Sequence, residues 1–192
     1  MSGVVRKRVA VLISGRGSNL QALLDAKQDA YEITLVVSNV PGAGGLERAR
    51  AAGVEAVALD HKPYGKNREA FERDLDALLV ERNIEIVALA GFMRVLTPYF
   101  VNAWKGRLIN IHPSLLPKYP GINTHARALE AGDAEHGCTV HLVVEEVDSG
   151  EILGQARMPI APGDTPETLA ECVLSLEHDL YPRCLAQLAR TL

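Results

Sequence analysis

The stretch Arg107-Leu-Ile-Asn-Ile-His-Pro-Ser-Leu-Leu-Pro-Lys-Tyr-Pro-Gly121 holds the residue types best suited to chemistry. Leu108, Ile109 and Ile111 are branched apolar residues that favour a strand. Asn110 and His112 interrupt that run, and residues two apart on a strand share a face. Pro113 donates no backbone hydrogen bond and ends the strand. His112, just before it, is driven into an extended conformation. An amide and an imidazole therefore stand side by side at the carboxyl end of a strand, where open α/β sheets bind ligands. The amide can donate hydrogen bonds, and the imidazole can exchange protons near neutral pH. Either residue alone reads more readily as a hydrogen-bonded core group. The pair followed by Pro-Ser-Leu-Leu-Pro is the more specific feature.

A second feature lies near the N-terminus. Ser14-Gly15-Arg16-Gly17-Ser18-Asn19 is a glycine-rich turn between an apolar strand and a helical stripe. Glycines let the backbone approach a ligand, and free amides at a helix N-terminus favour an anion. Leu20 stands where a dinucleotide fingerprint wants a third Gly or Ala. Ser38-Asn39 stands where that fingerprint wants an acid, and no Gly-Lys-Ser/Thr ending is present. Nicotinamide cofactors and a Walker-type triphosphate are thus disfavoured. A single terminal phosphate, such as that of a ribose 5-phosphate, suits the turn.

The elements that must position these groups read as an alternation. Strands are expected at Val9–Ile13, Ile33–Val37, Val54–Leu59, Ile84–Leu89 and Arg107–His112. Helices are expected after Leu20, around Leu46–Ala52, and from Asn67, where Phe71, Leu75, Leu78 and Leu79 repeat at helical spacing. This pattern implies an α/β fold with a doubly wound, mostly parallel, Rossmann-like sheet. After His112 the pattern changes. A short helix over His125–Leu129 precedes two strands, Cys138–Val144 and Glu151–Ile160, joined through Asp148-Ser-Gly150. So short a link makes them antiparallel to each other. Thr165-Pro166 opens a last helix with the stripe Leu169, Val173, Leu176, Leu180 and Leu188.

At 192 residues the chain fits one domain, 1–192, on a prior of about 100–200 residues per domain. A formal net charge of -4 offers no basic excess for nucleic acid. No apolar run approaches the roughly 20 residues of a membrane span. The run Val9–Ile13 is too short for a signal-peptide core, which takes about 7–15 residues. A cytoplasmic enzyme without membrane or nucleic-acid partners is expected, and no feature sets an oligomeric state. Cys138, Cys172 and Cys184 lack metal or redox spacing and read as small buried residues.

Asn110-Ile-His112-Pro113-Ser114-Leu115-Leu116-Pro117 resembles the signature of the folate-dependent formyltransferases, and the resemblance runs over almost the whole chain. It extends to Asp148-Ser-Gly150-Glu-Ile152-Leu153-Gly-Gln155, which is similar to that family's Asp-x-Gly-x-Ile-Leu-x-Gln. The resemblance implies a catalytic trio of Asn110, His112 and Asp148. It implies 10-formyltetrahydrofolate as formyl donor, the amine of glycinamide ribonucleotide as acceptor, a role in purine biosynthesis, and no metal. Attack on the formyl carbon puts negative charge on oxygen. Asn110 would donate to that oxygen, His112 would stabilise it and supply a proton, and Asp148 would favour the charged imidazole.

By the same resemblance Gly17, Ser18 and Asn19 hold the ribonucleotide phosphate, with Glu177 near its amine. Arg68, Met93, Arg94, Val95 and Leu96, with Asn110 and the loop Val144, Glu145, Glu146 and Val147, take the folate. Lys118 and His125 belong to family-like segments without a role attached. His61, His136 and His141 read as structural or exposed. The competing readings are a formyltetrahydrofolate deformylase, a methionyl-tRNA formyltransferase, and a non-enzymatic ribose-phosphate-binding module. The first two carry further domains for which this chain shows no segment. The third leaves Asn110, His112 and Asp148 without a purpose.

Overall fold

The computed structural model describes residues 6–192, so the first five residues of the expected 1–192 domain lie outside it. The strands are β1 (Lys7–Ile13), β2 (Tyr31–Ser38), β3 (Glu55–Ala58), β4 (Ile86–Leu89), β5 (Leu108–His112), β6 (Glu135–Leu142) and β7 (Ile152–Pro159). The helices are α1 (Ser18–Asp25), α2 (Gly44–Ala51), α3 (Arg68–Glu81), α4 (Pro98–Ala103), α5 (Thr124–Glu130) and α6 (Pro166–Thr191). One seven-stranded sheet runs in the order β3-β2-β1-β4-β5-β6-β7. Its first five members are parallel, while β6 is antiparallel to both β5 and β7. The expected mostly parallel sheet with antiparallel strands towards the C-terminus is what forms.

The sheet is covered on both faces, as a continuous apolar strand requires. Along β1, Val9, Val11 and Ile13 pack with α1 and α6 through Leu20, Leu23, Val173 and Leu185. Ala10 and Leu12 point the other way, towards Phe71, Leu75 and Leu79 of α3 and Phe100 and Trp104 of the α4 region. All five of these β1 residues are fully buried. Each large apolar side chain buried so completely is worth about 1.5–3 kcal/mol.

α6 is also pinned to the sheet by a polar contact. The Tyr181 hydroxyl, fully buried, donates to the Leu89 carbonyl at 2.7 Å, at the end of β4. Tyr181→Phe should lower unfolding free energy by about 0.5–1.5 kcal/mol, the net worth of one hydrogen bond. A denaturant titration checks this; an unchanged midpoint would show the bond to be energetically idle.

Several boundaries differ from expectation. β6 begins at Glu135 and ends at Leu142, and not at Cys138 and Val144, because its pairing partner β7 extends to Pro159. α4 carries no periodic signature, since six residues are too few for a helical stripe, although Thr97-Pro98 supplies a start signal. Cys138 and Cys184 are buried as expected, but Cys172 is exposed, on the solvent side of α6. Among the described residues no helix is long and apolar enough to cross a membrane.

Candidate active site

The strand order reverses its sense between β1 and β4, both of which start parallel crossovers in opposite directions. Such a switch point leaves a crevice at the carboxyl ends of the strands. β5 brings Asn110 and His112 to that end, beside it. His112 is buried, and its Nε2–H donates to the Tyr119 carbonyl at 2.8 Å. Its Nδ1 lies 3.4 Å from Oδ2 of Asp148. The imidazole thus has a carbonyl on one ring nitrogen and a carboxylate beside the other.

The two acceptor residues sit in unusual backbone conformations. Tyr119 has φ +55° and Asp148 φ +54°. The left-handed region is uncommon for residues other than glycine. Asp148 is held there partly by the Gly121 N–H, which donates to Oδ2 at 2.8 Å. The loops after β5 and β6 are thereby tied together across the imidazole. Burial pushes the Asp148 carboxyl up. Hydrogen bonding from His141 and from the Gly121 N–H, with the charge of His112, outweighs that and holds it below the ordinary aspartate range.

His141 belongs to this cluster, which its sequence neighbourhood did not suggest. It is 2% exposed, so it is not a surface histidine. Its Nδ1–H donates to the Leu142 carbonyl at 2.9 Å. Its Nε2 then faces both the Asn110 amide nitrogen at 3.3 Å and Oδ1 of Asp148 at 3.5 Å. The cause is register: His141 on β6 is the direct partner of Asn110 on β5. Only the antiparallel pairing of β5 with β6 reveals that, and local periodicity does not encode it.

Next to Asn110 a cleft of about 180 Å³ is lined by Leu89, Phe92, Val101 and Val143. The expected Arg94, Val95, Leu96, Asn110, Val144, Glu145 and Val147 line it too, with Asp148 and His141. Arg68 and Met93 fall outside it and line an adjoining open recess with Arg94 and Val95. The Arg68 guanidinium donates to the Val95 carbonyl at 3.1 Å, so part of its donor set is already engaged. Glu146 is exposed and lines neither space. The lining is apolar with a polar end, as suits a flat heterocycle.

The glycine turn stands on the other side of the crevice. Gly17 has φ +76°, and a Cβ there would come within 2.8 Å of the Gly45 Cα. Only glycine accommodates both constraints. It precedes α1 without any side-chain cap, which leaves the first amides of that helix free. Asn19 donates to Glu177 Oε2 at 2.8 Å, while its own Oδ1 is buried without a partner. Burial raises the Glu177 carboxyl above the ordinary range, and the Asn19 hydrogen bond offsets only part of that. An unpaired buried acceptor beside a buried carboxyl is costly. A ligand carrying N–H or O–H groups would relieve it.

Comparison with known proteins decides the family. The family model described as "Formyl transferase" matches residues 7–185. The chain belongs to the formyl transferase family. Within that family it is 47% identical over 184 residues to the phosphoribosylglycinamide formyltransferase of Escherichia coli (strain K12), covering 94% of this chain and 86% of the relative. It is 53% identical over 189 residues to the trifunctional purine biosynthetic protein adenosine-3 of Drosophila pseudoobscura pseudoobscura. That match covers 96% of this chain but spans only 14% of the relative's length. The crystal structure of the Brucella melitensis phosphoribosylglycinamide formyltransferase superposes with a TM-score of 0.91 at 47% identity, covering 96% of each chain.

Lys118, His125, His136 and His61 have structural partners in this formyl transferase. Lys118 and Tyr119 both bond Asp133, and Lys118 is exposed. His125 Nδ1 lies 2.9 Å from His136 Nε2, joining α5 to β6. Burial, with the neighbouring His125, lowers His136 to about 4. His61 donates to the Asn39 carbonyl at 2.8 Å. Among the described residues no group of three or more His, Cys, Asp or Glu is arranged to hold a metal.

Proposed function

We propose that this chain transfers the formyl group of 10-formyltetrahydrofolate to the amine of glycinamide ribonucleotide. The products are N-formylglycinamide ribonucleotide and tetrahydrofolate, within de novo purine biosynthesis. The observation that carries this is the placing of His112 between Tyr119 and Asp148, with Asn110 of the same strand and Asp148 itself lining the apolar cleft. The names of the similar proteins point the same way. The water-soluble substrates fit a cytoplasmic enzyme.

The residues divide the work as follows. Gly17, Ser18 and Asn19 present free amides to the terminal phosphate, as uncapped helix N-termini do. Glu177 and the unpaired Oδ1 of Asn19 accept from the ribonucleotide's N–H and O–H groups. Arg94, Val95 and Leu96 face Val144, Glu145 and Val147 across the folate's ring, with Met93, Arg68 and Glu146 at the margin. When the amine attacks, Asn110 donates to the formyl oxygen, where charge develops. His112, doubly protonated, stabilises the same charge and gives up a proton as the bond to the folate nitrogen breaks. The attacking amine gives up one proton, which returns to the imidazole of His112 and restores it for the next turnover, so the sum needs no added acid.

A spectroscopic assay of tetrahydrofolate release, run with and without glycinamide ribonucleotide, tests the reading. Release only with the ribonucleotide supports transfer. Equal release without it makes the protein a hydrolase, and no release in either case leaves a binding module. One variant locates the acceptor end. Gly17→Val should weaken ribonucleotide binding about tenfold or more by displacing the amides, while folate binding survives. Calorimetry with each ligand alone checks this. Lost folate binding with normal ribonucleotide binding would mean that the two ends of the cleft are assigned the wrong way round.

A further inference from the structure

We infer that Ser14 is a positioning residue for the folate half of the site, holding the segment Met93–Thr97 at the correct depth across the switch-point crevice. This rests on the function proposed above. Ser14 directly follows β1 and is the first residue of the glycine-rich turn, three positions before Gly17. Its backbone N–H donates to the Gly91 carbonyl at 3.0 Å, bridging from β1 to the chain beyond β4. Its hydroxyl oxygen accepts from the Met93 N–H at 2.8 Å. One residue thus spans the crevice twice, between the ribonucleotide turn and the folate segment.

The rotamer of Ser14 is itself fixed. Its hydroxyl proton goes to Oδ1 of Asn39 at 2.5 Å. Asn39 is 3% exposed and sits at the end of β2. That is the place where a dinucleotide-binding protein carries its ribose-reading acid. Here the side chain turns inward to orient a serine. His61 holds the Asn39 main chain in turn.

The segment needs such a hold because, of its apolar side chains, Leu96 alone packs on the core. Met93 is 76% exposed and Val95 60%. Its far end is tied to α3: Arg68 donates to the Val95 carbonyl, and the buried Glu72 carboxylate accepts from the Thr97 N–H at 2.9 Å and from the Thr97 hydroxyl. Ser14 supplies the tie at the near end. A preformed segment lowers the ordering cost of binding, so losing one tie should appear as lost folate affinity and leave the chemistry alone.

The test is steady-state kinetics on Ser14→Ala and Ser14→Thr beside the wild type. In Ser14→Ala the KM for 10-formyltetrahydrofolate should rise about five- to tenfold, as expected for one hydrogen bond. The kcat and the KM for glycinamide ribonucleotide should stay within about twofold. Ser14→Thr, which keeps the hydroxyl, should recover most of the folate KM. An unchanged folate KM in Ser14→Ala would overturn the inference. So would a loss shared by both substrates, or one that Ser14→Thr does not repair. Glu72→Gln, which weakens the far tie, should reproduce the same split. The outcomes separate cleanly: if the wild type turns over and Ser14→Ala equals it, this inference alone fails, whereas a wild type that binds no folate removes the functional reading with it.

Discussion

His112→Ala is expected to lower turnover by about 10²–10⁴-fold, the usual worth of a general acid–base group. The variant loses the charge facing the formyl oxygen and the proton that the leaving nitrogen needs. Neither the glycine turn nor the folate cleft includes His112 in its lining, so both substrates should still bind. Single-turnover kinetics at saturating substrate separate the two effects, with circular dichroism to confirm the fold. Near-normal turnover in a folded variant would remove His112 from the mechanism.

Asp148→Asn keeps the shape and removes one charge 3.4 Å from the imidazole. An opposite charge at about 4 Å is worth about 4 kcal/mol at an effective dielectric near 20. If half of that reaches the transition state, turnover falls by about 30-fold. Turnover within a few-fold of the wild type in a folded variant would contradict this coupling. Stability should respond as well. The Asp148 carboxyl is held below the ordinary aspartate range, so it contributes stability above about pH 4, and that contribution is lost as pH falls through its lowered value. The unfolding midpoints of the two proteins should therefore converge in acid.

The parts of this molecule that were legible in the sequence are those governed by local pattern. Val9–Ile13 announces a buried parallel strand because it is an unbroken apolar run, and Ile33–Val37 does so with only Thr34 interrupting it. The Leu169, Val173, Leu180 and Leu188 stripe of α6 is buried as its spacing requires, and Leu176 is partly so. Asn110 and His112 stand out because polar residues inside such a run need a reason. What was not legible depends on pairing between distant segments. His141 enters the site only because β6 runs antiparallel to β5 in one register. Ser14 gains its contact with Met93 across 79 residues of sequence. Arg68 was readable as a folate-side residue, but not that its guanidinium is spent partly on the Val95 carbonyl. Cys172 shows the reverse failure: a residue type usually buried was assigned by type, although its position on α6 faces solvent.

The central claim is that a formyl group passes directly between two ligands held at the carboxyl end of this sheet. The most direct measurement follows the carbon itself. With 10-formyltetrahydrofolate carrying a ¹³C-labelled formyl group, NMR reports where the label goes. The account predicts a ribonucleotide formamide signal growing in equal measure with tetrahydrofolate, absent without glycinamide ribonucleotide and suppressed in His112→Ala. Label appearing as free formate, at a rate indifferent to the ribonucleotide, would contradict it.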